Sequence, residues 1–328
     1  MSDSDLAIAA ATSNRVEEAS SPRPRFAVCL AAFNGMEFIN EQIESILAQE
    51  HVALQVFLSV DRSTDGTEDR LAEWALSEPR LTLLPVGKQF GSPGRNFCRM
   101  LKEVDFGGFD YLSFADQDDL WMPDKLWRAH CLIRTLGVSG YSSNFTAFWP
   151  SGKRRLVHKA WPQQPWDYFF ESAGPGCTYV LEHRLAISLQ ALVRQREASM
   201  SGIDYHDWLT YAFARSHNYL WAIDDWSSIR YRQHARNQIG VNAGWRSFQL
   251  RAQKVLSGYG LEQSLLIADA VGVASQPVVQ RGLRSGRMGY LWLALQAVRC
   301  RRRPLDQLWF FISCVLLSVL KPAIRGES

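Results

Sequence analysis

Between Phe26 and Leu136 the chain alternates four times between a short unbroken apolar run and a stretch of helical periodicity. That rhythm constrains the fold more than any other feature. Phe26 to Phe33, Leu54 to Val60, Leu81 to Val86 and Tyr111 to Ala115 have the length and apolar continuity of strands buried on both faces of a parallel sheet. Within Met36 to Gln49, Phe38, Ile39, Ile43, Ile46 and Leu47 share one helical face. Thr67 to Leu76 is a second helix, the turn Gly91-Ser92-Pro93-Gly94 opens a third near Arg95, and Pro123 suits the first turn of a fourth reaching Leu136. The pattern predicts an α/β fold with a doubly wound, mostly parallel, Rossmann-like sheet. Ligands of such sheets lie beyond the carboxyl ends of the strands.

Polar clusters fall at those ends: Asn34-Gly35, Asp61 to Asp65, and Asp116 to Asp119. The carboxylates in Asp116-Gln117-Asp118-Asp119 repel one another unless a cation or a basic group compensates. Hard oxygen ligands suit Mg²⁺ or Mn²⁺, and the plain alternative is a solvated acidic loop that caps the next helix. Asp61 can accept a hydrogen bond from the imino N–H of uracil or thymine. Ser63, Thr64 and Asp65 equally suit an Asx or ST turn with a helix N-cap. Arg95 and Asn96 follow a glycine turn at a helix start, where phosphate oxygens are commonly met.

From Val138 onward the pattern turns irregular and aromatic. Gly174-Pro175-Gly176 precedes a short strand expected at Cys177 to Val180, with a helix from Glu182 to Gln195. A second helix is expected over Tyr205 to Ala214, and a short strand over Ile229 to His234. At the start of the second helix, Asp204 and Asp207 are both candidate general bases. Helix capping is the competing role for Asp204. In Tyr231-Arg232-Gln233-His234-Ala235-Arg236, Arg232 or Arg236 can neutralise a diphosphate, and His234 can ligate a metal or phosphate.

Three segments are expected: a disordered leader over 1–24, the α/β domain over 25–240, and a basic, apolar helical region over 241–328. With 47% hydrophobic and 21% charged residues, wholesale disorder is excluded. Residues 281–328 hold nine Lys/Arg against two acids, a local +7 that leaves −4 for the remainder of a chain of net charge +3. The six cysteines show no zinc-type spacing, which points to free thiols in a reducing compartment. No secretory signal is evident, and the body is expected to be cytoplasmic. The apolar run Leu308 to Leu320 is too short to cross a bilayer. With Met288 to Val298 and Arg299, Arg301, Arg302 and Arg303, it reads as a membrane-interface segment or as helices packed on the domain around a solvated arginine turn.

Taken in order, these clusters resemble family 2 glycosyltransferases of the GT-A fold, in particular the rhamnosyltransferase-like branch of bacterial polysaccharide assembly. Ala31-Ala32-Phe33-Asn34-Gly35 resembles the first-strand motif, Asp61 to Thr67 the second-strand loop, and Asp116-Gln117-Asp118-Asp119-Leu120-Trp121 the metal motif. Gly176-Cys177-Thr178, His206-Asp207-Trp208 and Tyr231-Arg232-Gln233-His234 resemble later motifs, so that coverage runs from Phe26 to Gly240. Val60-Asp61-Arg62 departs from the family's Asp-Asp-Gly and leaves Asp61 as the base reader.

The resemblance implies inverting, metal-dependent transfer of a sugar, rhamnose by preference, from a dTDP- or UDP-linked donor. The acceptor is a hydroxyl of a glycan or lipid-linked glycan. Asp207 is the implied base, and Asp116, Asp118 and His234 the metal site for Mg²⁺ or Mn²⁺. Ala32, Phe33, Asn34, Asp61, Arg95, Asp116 and Arg232 are the implied donor contacts. No nucleic acid partner is expected, and the implied place of work is the cytoplasmic face of the inner membrane, held peripherally. The competing classes are a nucleotidyltransferase and a degenerate GT-A domain acting as a scaffold.

Overall fold

The computed structural model describes residues 22–200, 202–234 and 258–320. Its sheet begins as the sequence predicts. Strands β1 (Arg25–Ala32), β2 (Ala53–Val60), β3 (Leu81–Leu83) and β4 (Tyr111–Ala115) are parallel in the order β3-β2-β1-β4. Helices α1 (Ile39–Leu47), α2 (Thr67–Ser77), α3 (Pro93–Glu103) and α4 (Lys125–Leu136) connect or follow them. Every residue of β1 after Arg25 is buried, as an unbroken apolar run requires. Two boundaries differ from expectation. Helix α1 starts later because the Gly35 carbonyl accepts from the N–H groups of Phe38 and Ile39, which makes a turn of the first residues. Strand β3 stops short of Pro85, which has no N–H to extend a ladder.

Past β4 the sheet continues where the sequence looked irregular. Strands β5 (Leu120–Trp121), β6 (Gly140–Phe148), β7 (Arg154–Val157), β8 (Val180–Glu182) and β9 (Trp221–Arg232) extend it in the order β4-β8-β6-β9-β5, with β7 on β6. Here only β6 and β9 pair in parallel; β8, β5 and β7 run antiparallel to their neighbours. The mostly parallel sheet is therefore a parallel half joined to a mixed half. Strand β6 is concealed by its polar residues. Ser142, Ser143 and Asn144 are buried, and each is paired: Ser142 Oγ donates to Ala173 O, Ser143 Oγ approaches Ser228 Oγ, and Asn144 Nδ2 donates to Asp225 O. Strand β9 carries buried Asp224, held by Arg128 Nε at 2.6 Å and by the Tyr141 hydroxyl at 2.9 Å. The strand expected at Ile229 to His234 is its carboxyl end. Gly176–Thr178 forms a 3₁₀ turn rather than the start of a strand, and β8 begins only at Val180.

The longer helices of this half are α5 (His183–Gln195), α6 (His206–Ser216), α7 (Tyr259–Ala270), α8 (Gly286–Leu295) and α9 (Pro304–Leu320). One apolar core joins Phe97, Phe114 and Trp208 to Ile267, Val279, Leu293, Cys314 and Leu317. The helices beyond residue 258 thus share one core with the sheet. Their arginine turn is solvated only in part, since Arg299 and Arg303 are exposed and Arg302 is not. Arg302 is buried, its N–H donates to Glu171 Oε1 at 2.7 Å, and its guanidinium donates to Ser172 O and lies 3.6 Å from Asp167. Arg301 Nη1 donates to Phe170 O at 2.8 Å, and Trp166 N–H to Arg299 O at 2.9 Å. The outer face still shows Met288, Leu291 and Leu295 of α8 and Leu305, Leu308, Trp309 and Phe311 of α9. No helix among the described residues is long and apolar enough to cross a membrane. The expected boundary near 240, Arg236 and nearly all of the expected leader lie outside the described residues. All six cysteines are free thiols.

Candidate active site

The ends of β1, β2 and β4 are stitched together through the backbone. Gln117 makes two bonds to Phe33, its Oε1 accepting from the Phe33 N–H at 2.7 Å and its Nε2 donating to the Phe33 carbonyl at 2.9 Å. Asn34 takes a left-handed φ of 45°, its N–H donating to Ser63 Oγ and its Oδ1 accepting from Thr64 N–H. Gly35 N–H donates to Thr67 Oγ1, and a Cβ at Gly35 would collide with the Gln117 amide. Asp65 accepts from the Thr67 hydroxyl and from the N–H groups of Met36 and Thr67; burial raises its carboxyl, but these bonds outweigh it and hold it below the usual range. Ser63, Thr64 and Asp65 therefore build the loop, as the Asx/ST alternative held.

Asp61 is buried and accepts from Phe90 N–H at 2.6 Å and Gly91 N–H at 2.8 Å. The expected base reader is thereby also the anchor of the 88–91 loop. Arg62 is exposed. Ser92 caps α3 by accepting from Arg95 N–H, and Arg95 stands exposed at that helix start. Asn96 does not face phosphate: it is buried and bonded to Ser59 through its Nδ2 and Oδ1.

At the end of β4, His234 Nε2 sits 2.7 Å from Asp118 Oδ2. Two members of the expected metal site, 116 positions apart in sequence, are thus in contact. Beneath them, ligand atoms of Asp116, Asp119 and Cys177 lie within 4.8 Å of one another. Asp119 is fully buried and its Oδ2 has no hydrogen-bond partner among the described residues. Burial, and then the neighbouring Asp118, push the Asp116 carboxyl up to about 7. Burial with Asp118 and Asp116 raises Asp119 well above the usual range. A strained, protonation-prone cluster with an orphaned carboxylate oxygen is the arrangement a divalent cation would relieve. Among the described residues the ligand atoms that converge are those of Asp116, Asp119 and Cys177, while Asp118 and His234 of the expected set lie against each other; burial raises the Cys177 thiol well above its usual range. Lys125, also fully buried, sits under the cluster with Nζ 3.0 Å from the Trp121 ring centre. Burial drives its ammonium well down, against the pull of Cys177, Asp119 and Asp116. Arg232 packs between Phe38 and Phe148, and its guanidinium bonds Glu41 and the Asp118 carbonyl. It fastens β9 to the metal loop.

Asp207 lies in the first turn of α6, and its Oδ1 accepts from Trp208 N–H at 2.7 Å. Burial raises its carboxyl to about 6, while Trp208 N–H, the Ser172 hydroxyl and Lys159 draw it down. It is close enough to Asp116 to contribute to that residue's raised pKa. Asp204 does not cap α6, whose N-cap is Tyr205; its carboxylate accepts from the Tyr259 hydroxyl. Gly94 lets α3 approach this segment, since a Cβ there would meet the Asp204 carbonyl at 2.5 Å. Helix α6 is pinned by Trp208 Nε1 donating to Tyr168 O, and by Tyr211 and Arg215 on buried Asp167.

Four contributors escaped the sequence reading: Lys125, Lys159, Ser172 and Cys177. Cys177 was visible within a motif, but only its contact with Asp116 and Asp119 gives it a place. Lys159 and Ser172 come from segments without periodicity.

Comparisons with known proteins bear on the family and the fold. The family model described as glycosyltransferase-like family 2 matches residues 22–159. A dTDP-rhamnosyl transferase of Shigella flexneri, RfbG, is 38% identical over 289 residues, which is 88% of this chain and 99% of that protein. The UDP-Glc:alpha-D-GlcNAc-diphosphoundecaprenol beta-1,3-glucosyltransferase WfgD of Escherichia coli is 24% identical over 187 residues, 56% of this chain and 68% of its own. In fold, residues 1–349 of S. aureus TarS in complex with UDP-GlcNAc match with a TM-score of 0.50 at 14% identity, covering 89% of each chain.

Proposed function

The chain belongs to glycosyltransferase-like family 2 and has a GT-A fold, and from that premise we propose that it transfers rhamnose, with inversion, from dTDP-rhamnose to a hydroxyl of a glycan or lipid-linked glycan. The observation that carries the reading is the pairing of two unlike sites. An acidic donor edge with Asp118 against His234 stands near a further buried carboxylate, Asp207, at a helix start. The donor sugar rests on the rhamnosyl transferase relative, and a UDP-linked donor is the competing choice.

In an inverting displacement the acceptor hydroxyl attacks the anomeric carbon from one face while the diphosphate leaves from the other. Asp207 takes the hydroxyl proton. A carboxyl raised to about 6 is mostly ionised at neutral pH, yet a stronger base than an ordinary carboxylate. Ser172 and Lys159 favour its charged form. Asp116, Asp118 and His234 would hold the divalent ion, which when bound offsets charge on the departing diphosphate. Phe33, Asn34 and Asp61 meet the nucleotide, Ala32 and Arg95 border it, and Arg232 holds the metal loop in place. No covalent nucleophile is needed.

The exposed apolar stripe of α8 and α9, with exposed Arg281 and Arg303 beside it, supports a peripheral place on the cytoplasmic face of the inner membrane. The test is a panel of nucleotide sugars offered to purified protein with Mg²⁺ or Mn²⁺, scored by nucleoside diphosphate release. Release from dTDP-rhamnose above all others is expected. Release from none of them overturns the reading.

A further inference from the structure

The segment that leads into α6 is seated in two glycine notches. A Cβ on Gly94, at the start of α3, would meet the Asp204 carbonyl at 2.5 Å. A Cβ on Gly176, at the start of the 3₁₀ turn, would meet His206 Nε2 at 2.3 Å. Neither glycine has a positive φ, so what excludes a side chain at each is the neighbour and not the backbone. Asp207 follows directly on this segment.

The His206 imidazole is gripped on its other sides by two buried aromatic rings. It stacks on Phe97 of α3 with ring centres 3.9 Å apart, and it meets Phe114 of β4 edge-on at 5.3 Å. Burial pushes it down to about 3, so the ring is uncharged. Its Nε2 is buried without a hydrogen-bond partner among the described residues. An unbonded nitrogen is costly to bury, and packing alone would be served by an apolar side chain.

Each neighbour of this ring belongs to a donor-edge segment. Phe97 is two residues past Arg95, and Phe114 is two residues before Asp116. Gly176 precedes Cys177, whose Sγ lies within 4.8 Å of ligand atoms of Asp116 and Asp119. On the far side of the ring, one peptide bond leads to Asp207. The imidazole is a plate set between the acidic cluster and the base.

We infer that His206, wedged between Gly176, Phe97 and Phe114, is a positioning residue that fixes the span from the Asp116 cluster to the Asp207 carboxylate. The inference deepens the glycosyltransfer reading and rests on it for the role of Asp207. An in-line displacement puts the anomeric carbon between the base and the leaving diphosphate, so the span across it must be held. A methyl on residue 176 must go from 2.3 Å to an ordinary contact, which moves the ring or the turn by about 1 Å. A misplacement of about 1 Å is enough to cost about 10²-fold in rate.

The test compares Gly176→Ala, His206→Ala and the double variant. Turnover is scored as nucleoside diphosphate release with Mg²⁺ or Mn²⁺, per nucleoside diphosphate binding site counted by calorimetry. In Gly176→Ala, kcat should fall about 10–10²-fold while nucleoside diphosphate affinity stays within threefold. In His206→Ala, kcat should fall about tenfold, and adding Gly176→Ala to it should cost less than threefold more, because the collision is gone. Loss of folded protein lowers the number of binding sites and leaves kcat per site unchanged, so it does not imitate this result. If His206→Ala does not fold, the kcat and affinity of Gly176→Ala decide alone. A kcat within twofold of normal in Gly176→Ala overturns the inference, as do losses that multiply in the double variant. Affinity that falls as far as kcat also overturns it, since the notch would then serve the acidic cluster and not Asp207. The unaltered protein is assayed beside them: no turnover with any donor sinks the glycosyltransfer reading and this inference with it, whereas normal turnover with any of those three results sinks this inference alone.

Discussion

The donor edge and the Asp207 side hold their reactive groups by different means. At the donor edge three loops, each directly after a strand, are fixed by short side chains bonded to backbone: Gln117 to Phe33, Asp65 to Met36, and Asp61 to Phe90 and Gly91. Around Asp207, side chains from Lys159, Ser172 and the α6 start converge, and the arginine turn near residue 302 straps them from outside. The first arrangement is local and tolerates little movement. The second is assembled over long range, and the helices beyond residue 258 are part of it. If the difference is real, damage at the donor edge should act on donor affinity and rate together. Damage on the Asp207 side should act on rate, pH dependence or stability and leave the donor alone.

The largest effect is expected at the base. Asp207→Asn keeps the shape and removes the proton acceptor, so kcat should fall about 10²–10⁴-fold with nucleoside diphosphate affinity within twofold. Asp204→Asn, which keeps an acceptor oxygen for the Tyr259 hydroxyl and removes no base, should cost less than threefold in kcat. The pH dependence gives a second reading of the same group. The base must be ionised, so kcat rises with pH through an apparent pKa about 6 and levels above it. An acid limb near 4, the ordinary carboxylate range, would mean that another group takes the proton.

Next comes the metal loop. Asp118→Ala removes the partner of His234 and a hard donor, and kcat/KM should drop about 10²–10³-fold. Unlike the Asp207 variant, it should also weaken nucleoside diphosphate binding, measured with and without Mg²⁺ or Mn²⁺. Full turnover in excess chelator would break the donor-edge half of the comparison.

The same contrast explains what could be read from sequence. Apolar strands of unbroken composition, Phe26 to Phe33 and Tyr111 to Ala115, announced β1 and β4 and therefore the positions of Asn34 and Asp116. Strand β6 could not be read that way. Ser142, Ser143 and Asn144 are buried polar residues satisfied by partners 31, 85 and 81 positions away. Asp224 in β9 is likewise acceptable only because Arg128 and Tyr141 meet it. The arginine turn looked solvated because Arg302 gains its acids, Asp167 and Glu171, only after folding. Asp207 was identifiable from its motif, but Lys159 and Ser172 beside it were not.

A smaller effect tests the strap. Arg302→Met leaves buried Asp167 and part-buried Glu171 with one cation fewer, although Arg215 still pairs with Asp167 at 3.1 Å and Arg301 lies 3.8 Å from Glu171. Removing one member of a buried pair typically costs about 3–5 kcal/mol, and the two remaining arginines place this case at the low end, about 3 kcal/mol. Denaturant unfolding measures it. Nucleoside diphosphate affinity should hold while kcat of the folded protein falls about threefold to tenfold. A loss of donor affinity larger than the loss of kcat would show that the two sides are not independently built.

The smallest effect concerns the outer face of the strap. Met288, Leu291 and Leu295 on α8 and Leu305, Leu308 and Phe311 on α9 are exposed, while Leu293, Cys314 and Leu317 on their inner faces belong to the core. Deleting these helices would therefore remove core and unfold the protein, and substitution on the outer face is the sound test. Helix α9 has 17 residues, about 25 Å at 1.5 Å per residue, and it is packed on one side, so it can lie in a leaflet but not cross the roughly 30 Å hydrocarbon core. Exposed leucines give an apolar contact, and arginines near an anionic surface each add about 1 kcal/mol. Full-length protein should sediment with vesicles containing anionic lipid, less with neutral vesicles, and less again as salt screens the arginines. Arg303→Gln should weaken the partition about fivefold, the equivalent of about 1 kcal/mol, and Leu308→Ser somewhat more through lost burial. Neither change touches the donor edge, so nucleoside diphosphate affinity should be unchanged in both. Equal sedimentation with anionic and neutral vesicles, indifferent to salt and to both substitutions, would leave α8 and α9 as packing for Asp207 and nothing more.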